Sequence, residues 1–125
     1  DFSHADRAEH LRRVAHICKI LNDQGIITIC SFISPFEAIR KQVAEIIGEE
    51  RFHLFYMDTD IESCRKMDRY GLYGQMKQGM IRQMPGIDFP YDVPARPALT
   101  FKPDDPANIE TVIRYLGETG LFPLE

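Results

Sequence analysis

The alternation of helix-like and strand-like patterns is the feature that most constrains how this chain folds. Over residues 3–24, apolar residues recur at spacings of three and four, which predicts a helix with Ser3 as its N-cap and Gly25 just past its end. The next run, Ile-Ile-Thr-Ile-Cys at 26–30, is β-branched without alternation and is typical of a parallel strand covered on both faces. Repeated switching between the two patterns predicts an α/β fold.

The same alternation continues to the end of the chain. We expect, in order, a helix from about Pro35 to Gly48, a strand over 52–57, a short helix over 60–68, a strand over 98–102 and a helix over 106–118. Strands separated by helices form a parallel sheet with crossover connections. Three strands are few for such a sheet, so either the sheet is small or the chain begins partway through its domain. Residues 70–97 are too long for a plain connection and are typical of a lid or binding loop.

Composition narrows the class of protein. The 125 residues are 44% hydrophobic and 27% charged, with a net charge of −4, which predicts one soluble globular domain or part of one and argues against broad nucleic-acid binding. No apolar run approaches the roughly 18–20 residues that span a bilayer, and no signal peptide opens the chain.

The three cysteines fit neither a disulfide framework nor a zinc site. We expect Cys18 and Cys30 to be buried free thiols in a reducing cytoplasm.

Three groups of polar residues follow the predicted strands. They are Ser31 to Ser34, Asp58 to Asp60 and Lys102 to Asp105. Ligands of open parallel sheets bind beyond the carboxyl ends of the strands, so each group is a candidate site. Helix capping is the competing interpretation for the two serines, which precede Pro35, and it is stronger for Asp60, with metal binding as the minority interpretation.

The first predicted helix carries a candidate anion site. Arg7 and His10 are three residues apart and share a face near the helix start, where the helix dipole favours anions. The histidines form no metal-binding pattern, and no glycine is followed by lysine as a phosphate-binding Walker loop requires. If the protein is a nucleotide kinase, this chain therefore lacks the phosphate cradle.

Four blocks of sequence together resemble the adenylylsulfate kinase family. They are FSHADRAEHLRR at 2–13, SFISPF at 31–36, GLY at 71–73 and PGIDFPYDVPARPAL at 85–99. The resemblance implies a P-loop kinase fold and phosphoryl transfer from ATP, with Mg²⁺, to the 3′-hydroxyl of adenosine 5′-phosphosulfate, giving PAPS. It also implies a cytoplasmic enzyme of sulfate assimilation whose partner is a small nucleotide, with no membrane or nucleic-acid partner. A homodimer, or a fusion to or partnership with ATP sulfurylase, is compatible with it.

The resemblance assigns roles residue by residue. Phe2 matches the aromatic that stacks on the substrate adenine, and Arg7 matches an arginine that binds the phosphosulfate. Ser34 matches a serine that carries a phosphate in some members and is the single catalytic candidate. The full substrate-side set is Phe2, Arg7, His10, Arg12, Ile33, Ser34 and Met84; the lid and ATP-side set is Met67, Arg69, Lys77 and Arg82.

Several residues depart from the family pattern. His10 replaces an asparagine, Gly74 and Gln75 replace two lysines of the lid, Met67 replaces an arginine, and Met84 replaces a second base-stacking aromatic. These changes leave two alternatives open: a kinase that acts on another nucleotide-linked acid, such as a cytidine diphosphate derivative in surface-polysaccharide modification, or a non-catalytic nucleotide-binding module.

The resemblance also implies that residues 1–125 are the C-terminal two-thirds of one such domain, with a lid at about 69–97. The family's Walker loop precedes the matched region. We therefore expect no metal ligands within this chain and no turnover by the 125-residue chain alone.

Overall fold

The computed structural model describes residues 4–82 and 84–121, and its elements follow the predicted alternation with two exceptions, a missing strand at 26–30 and an additional helix at Leu72–Lys77. In chain order they are α1 (His4–Asp23), α2 (Glu37–Ile47), a 3₁₀ turn (Glu49–Arg51), β1 (Phe55–Met57), α3 (Ile61–Lys66), α4 (Leu72–Lys77), β2 (Leu99–Phe101) and α5 (Asn108–Glu118). The predicted helices and two of the three predicted strands are confirmed. The predicted N-cap Ser3 lies outside the described residues.

Helices α1 and α2 form the core by packing their apolar stripes together. Ala15 and Cys18 of α1 and Ile47 of α2 are buried in one cluster, which Val43 and Phe52 cover from the side. Gly25 ends α1 as predicted, because its φ of +77° is a left-handed conformation that glycine adopts without a steric penalty.

The sheet consists of β1 and β2, which pair in parallel. Phe55 is opposite Leu99, and Met57 is opposite Phe101. Helix α5 packs on this pair through Tyr115, whose ring lies 5.4 Å from that of Phe55 in an edge contact. The parallel pairing confirms the predicted α/β fold with crossover helices.

The prediction of a strand at 26–30 is wrong. The described residues 26–36 contain no helix or strand, and Ile29 is 90% exposed where both faces were expected to be covered. A strand needs a neighbour that accepts and donates its backbone hydrogen bonds, and the two-stranded sheet pairs β1 only with β2. The residues at 26–30 therefore have strand-like composition without strand pairing.

The segment between α3 and β2 is more ordered than a long loop. It contains α4, which was not predicted, and an isolated bridge between Pro85 and Phe89. Asp60 caps α3 by accepting a hydrogen bond from the Ser63 backbone N–H at 2.9 Å, so the capping interpretation of Asp60 is confirmed. Within the described ranges, no helix is long and apolar enough to cross a membrane.

Candidate functional site

Ring contacts bring three distant parts of the chain together. They are the start of α1, the serine segment (residues 31–36) and the proline segment (residues 84–92). His4 and Phe36 lie 4.2 Å apart between ring centroids, and Phe36 stacks on Phe89 at 5.3 Å. His10 meets Phe32 edge-on at 5.6 Å. Three of the four blocks that carry the family resemblance are therefore linked by these contacts.

Ser34 has an unusual backbone conformation at the centre of this arrangement. Its φ is +40°, and among the described residues it is the one non-glycine with a positive φ. The residue before a proline normally adopts an extended conformation, and the following Pro35 is fully buried. Such a conformation persists when its surroundings hold it in place, and it is frequent at functional sites.

The serine segment does not cap α2, so the capping interpretation of Ser31 and Ser34 is wrong. The N-cap position is Phe36, which makes no side-chain cap. Instead the Glu37 backbone N–H donates to Asp92 Oδ2 at 3.0 Å. The two serine hydroxyls are therefore not used as caps of α2.

The arginines of α1 differ in their surroundings. Arg12 and Arg13 both pair with Glu9, with nitrogen-to-oxygen distances of 2.7 Å, and these hydrogen bonds lower the Glu9 pKa to about 2. Arg7 lies on the helix's first turns and is half-buried. Arg12, assigned to substrate by the resemblance, is thus held by a carboxylate in this structure.

The remaining substrate-side candidates occupy the rim of the site. Ile33 is 54% exposed, and Met84 is half-buried in a turn in which its backbone N–H donates to Asp88 Oδ2 at 2.7 Å. Phe2 lies outside the described residues. An exposed Ile33 beside half-buried Ser34 leaves apolar surface available for a flat ligand.

The four lid and ATP-side candidates lie on exposed surface. Met67 follows α3 as its C-cap, and Lys77 is the last residue of α4. Arg69 and Arg82 are also exposed. Near the start of the predicted lid, the Tyr73 backbone N–H donates to Asp68 Oδ2 at 2.9 Å, which fixes the start of α4.

The carboxyl ends of the two strands carry an ion pair. Lys102 Nζ lies 2.6 Å from Asp58 Oδ2, and this hydrogen bond raises the Lys102 pKa. Across the parts of the chain that the structure describes, no group of three carboxylate, imidazole or thiol side chains converges to hold a metal ion.

A groove of about 660 Å³ runs between α1, residues 25–34 and β1. Inside it the sulfur atoms of Cys18 and Cys30 lie 3.5 Å apart. Cys18 is buried as predicted, but Cys30 is exposed, because the segment that carries it has no strand beside it. Although Cys30 as a whole is exposed, its sulfur is partly buried against Cys18, and this burial and the hydrogen bond with Cys18 raise the Cys30 pKa.

Arg40, Tyr91 and Asp92 were missed by sequence reasoning. Arg40 is only 3% exposed, and it shares the buried face of α2 with Val43 and Ile47 at spacings of three and four. A charged residue within an apolar stripe was therefore the available signal. Tyr91 and Asp92 lie within the block at 85–99 that carries the family resemblance, but the resemblance did not assign a role to either residue.

Comparisons with known proteins identify related sequences. A sequence profile described as adenylylsulphate kinase matches residues 1–102. The chain is 42% identical over 115 residues to an adenylyl-sulfate kinase of Bacteroides thetaiotaomicron, covering 92% of this chain and 57% of that protein. It is 40% identical over 101 residues to the bifunctional enzyme NodQ of a Rhizobium species, covering 81% of this chain and 16% of that protein. The chain thus spans little more than half of the first relative and a small part of the second.

A solved structure gives the same assignment. The Mycobacterium tuberculosis APS kinase CysC, in complex with AMPPNP and APS, superposes with a TM-score of 0.85 at 34% identity. The match covers 93% of this chain and 69% of that one. The predicted kinase-type α/β fold is confirmed by this likeness, and the chain belongs to the adenylylsulphate kinase family.

Proposed function

We propose that the protein transfers the γ-phosphoryl group of ATP to the 3′-hydroxyl of adenosine 5′-phosphosulfate, giving PAPS. The observation that carries this proposal is the meeting of three family-matching blocks around Ser34. The contacts from His4 to Phe36 and from Phe36 to Phe89 build an aromatic wall that suits a flat base. Arg7 is half-buried in the first turns of α1, and we assign it to the phosphosulfate because a guanidinium binds such an anion through charge-assisted hydrogen bonds.

In this reaction a bond forms between the 3′-oxygen and the γ-phosphorus, the bond to the β–γ bridging oxygen breaks, the hydroxyl proton is released and ADP leaves. Phosphoryl transfer depends mainly on positioning and electrostatic stabilisation. The described residues contribute to positioning: the serine and proline segments fix the substrate side, and Arg7 binds its anionic group. Mg²⁺, when bound, would neutralise charge on the phosphates.

ATP as the phosphoryl donor is supported by the complex of the Mycobacterium relative with AMPPNP, an analogue of ATP. Arg69, Lys77 and Arg82 are the lid cations that we assign to the ATP side. Their exposure fits a lid that contacts a ligand at its surface. Ser34, whose counterpart carries a phosphate in some members by the resemblance, is proposed as a modification or contact position within the site.

A second candidate function rests on the lid residues. Met84 stands where an aromatic was expected, and Gly74 and Gln75 stand where two lysines were expected. A thioether covers a ring face with less specific geometry than an aromatic ring does. These changes favour a kinase that accepts a different nucleotide-linked acid, such as a cytidine derivative. A non-catalytic nucleotide-binding module is the remaining alternative.

The discriminating experiment uses the protein expressed from its complete coding sequence. Its kcat/KM is measured for adenylylsulfate and for a panel of cytidine-linked and other nucleotide-linked acids, and the Met84→Phe variant is measured beside it. The proposal predicts the highest kcat/KM for adenylylsulfate and sharper discrimination in Met84→Phe. A preference for another nucleotide supports the second candidate, and absence of phosphorylation of every nucleotide supports the module.

We further propose a cytoplasmic protein that acts as a homodimer or together with an ATP sulfurylase domain. The similarity to the bifunctional NodQ protein, of which this chain covers only 16%, supports an arrangement with a second catalytic domain. Size-exclusion chromatography with light scattering measures the number of subunits, and co-purification with sulfurylase activity tests the partnership.

A further inference from the structure

Arg40 is the one buried charged residue within the described parts of the chain, with 3% of its surface exposed. A buried cation must be paired and hydrogen-bonded, because removing it from water is otherwise costly. Its three donor atoms all find acceptors. Nε and Nη2 bond Glu37 Oε2 at 3.1 and 2.6 Å, Nη1 bonds the Ser34 carbonyl at 2.6 Å, and Nη2 also bonds the Asp92 carbonyl at 2.5 Å.

These acceptors belong to two segments that are far apart along the chain. Ser34 lies in the serine segment, and Asp92 ends the proline segment. The same two segments are joined again by the Asp92 N–H, which donates to the Pro35 carbonyl at 2.8 Å. The Arg40 guanidinium also lies 5.7 Å from the centre of the Tyr91 ring. Arg40 thus links the serine segment to the proline segment.

The bond to Ser34 has a specific consequence. The Ser34 carbonyl belongs to the residue with φ of +40°, a conformation that is strained for a side chain other than glycine. A short hydrogen bond from a charged donor is stronger than one from a neutral donor, and it offsets that strain. The planar guanidinium presents several donors in a fixed fork, so it holds both carbonyls at a fixed separation.

We propose that Arg40 is a positioning residue of the substrate site. It holds Ser34 in its left-handed conformation and locks the serine segment to the proline segment, so that Phe36 and Phe89 present one continuous wall to the nucleotide substrate. The inference rests on the proposed function for its kinetic consequence, whereas its structural part stands without it. Arg40 itself acts through these segments and does not touch the reacting atoms.

The structural part is tested by amide hydrogen exchange on the purified protein. In Arg40→Gln, exchange of the Glu37 and Asp92 amides, which bond across the junction, is expected to accelerate at least tenfold, whereas exchange in α5 stays unchanged. Arg114→Gln is the matched control, since Arg114 forms an exposed ion pair with Glu110 on α5. Unchanged protection at both junction amides would overturn the proposal, whatever the enzyme's substrate proves to be.

The kinetic part is tested by a double-mutant cycle of Arg40→Gln with Ser34→Gly in the protein from the complete coding sequence. Glycine adopts a positive φ without strain, so the loss caused by Arg40→Gln should be at least threefold smaller in the Ser34→Gly background. Arg40→Gln alone should raise KM for the nucleotide substrate tenfold or more and change KM for ATP less than twofold. Additive effects, or equal changes in both KM values, would show a merely structural role. Should Arg40→Gln not fold, Arg40→Lys replaces it, because the ammonium keeps the charge but lacks the fork.

Discussion

Asp92 caps helix α2 from 55 residues away: its Oδ2 accepts a hydrogen bond from the Glu37 backbone N–H at 3.0 Å. A cap usually comes from the residue just before the helix. Here that residue is Phe36, which makes no side-chain cap. The proline segment therefore supplies a bond that the serine segment lacks, and the start of α2 depends on the proline segment being in place.

Replacing Asp92 with Ala should lower the free energy of unfolding by about 0.5–2 kcal/mol, the usual loss for a helix cap. Asp92→Asn, which keeps an acceptor oxygen, should lose less than half as much. Urea denaturation measures both. Asp104→Ala is the control, because Asp104 is exposed and should change the stability by less than about 0.5 kcal/mol. Equal stabilities for Asp92→Ala and the control would contradict the capping role.

Glu9 should titrate at about pH 2, because hydrogen bonds from Arg12 and Arg13 favour its charged form. A lowered pKa means that this pair stabilises the folded state fully above the unfolded pKa of about 4.3. That contribution should be lost as the pH falls from there through 2. Carboxyl chemical shifts in NMR measure the titration. Changing both arginines to Gln should return the Glu9 pKa toward its ordinary value, and an unaltered low value would refute the assigned cause.

Cys30 should behave as a weak nucleophile. Burial and the hydrogen bond with Cys18 raise its pKa, so less thiolate is present at a given pH than for a free thiol. Since the folded state holds this proton more tightly, its contribution to stability is lost as the pH rises above the ordinary thiol pKa of about 8.5. Alkylation by iodoacetamide, followed against pH by mass spectrometry, measures the shift. Cys18→Ala should move the alkylation profile to lower pH, and an unmoved profile would exclude Cys18 as a cause.

Arg7→Ala should weaken binding of the nucleotide substrate by about 1.5–3 kcal/mol, the loss expected for one charge-assisted contact. ATP binding should be nearly unchanged, because we assign Arg7, at the start of α1, to the nucleotide substrate and not to ATP. Isothermal titration calorimetry of the protein from its complete coding sequence measures both affinities. An equal loss for the two ligands would refute the assignment of Arg7.

Local patterns predicted the elements that local interactions determine. The stripe of Ala15 and Cys18 predicted α1, and the position of Asp60 before a short helix predicted its cap, because both signals lie within a few residues. The strand at 26–30 was predicted wrongly, since strand formation depends on a neighbour that composition cannot supply. The contacts of Arg40 with Asp92 were missed for the same reason, because they join residues 52 positions apart.

The candidate site was predictable in part. The resemblance marked Ser34, whose carbonyl bonds Arg40, and His10, whose ring contacts Phe32 of the serine segment. It did not indicate that Ser34 has a positive φ, because a residue before proline is ordinarily extended. Nor did it indicate that Arg12 pairs with Glu9, although a spacing of three residues on one helix face allows that pair.

The most direct test of the proposed activity follows a labelled phosphoryl group. The protein from its complete coding sequence is incubated with adenosine 5′-phosphosulfate, Mg²⁺ and ATP labelled at the γ-phosphorus, beside its Arg7→Ala variant. Our account predicts that the label appears on the 3′-oxygen of the adenylylsulfate, and that Arg7→Ala transfers it at least tenfold more slowly at substrate concentrations below KM. Label that stays in ATP, or that reaches other nucleotide-linked acids while adenylylsulfate is left unlabelled, would contradict it.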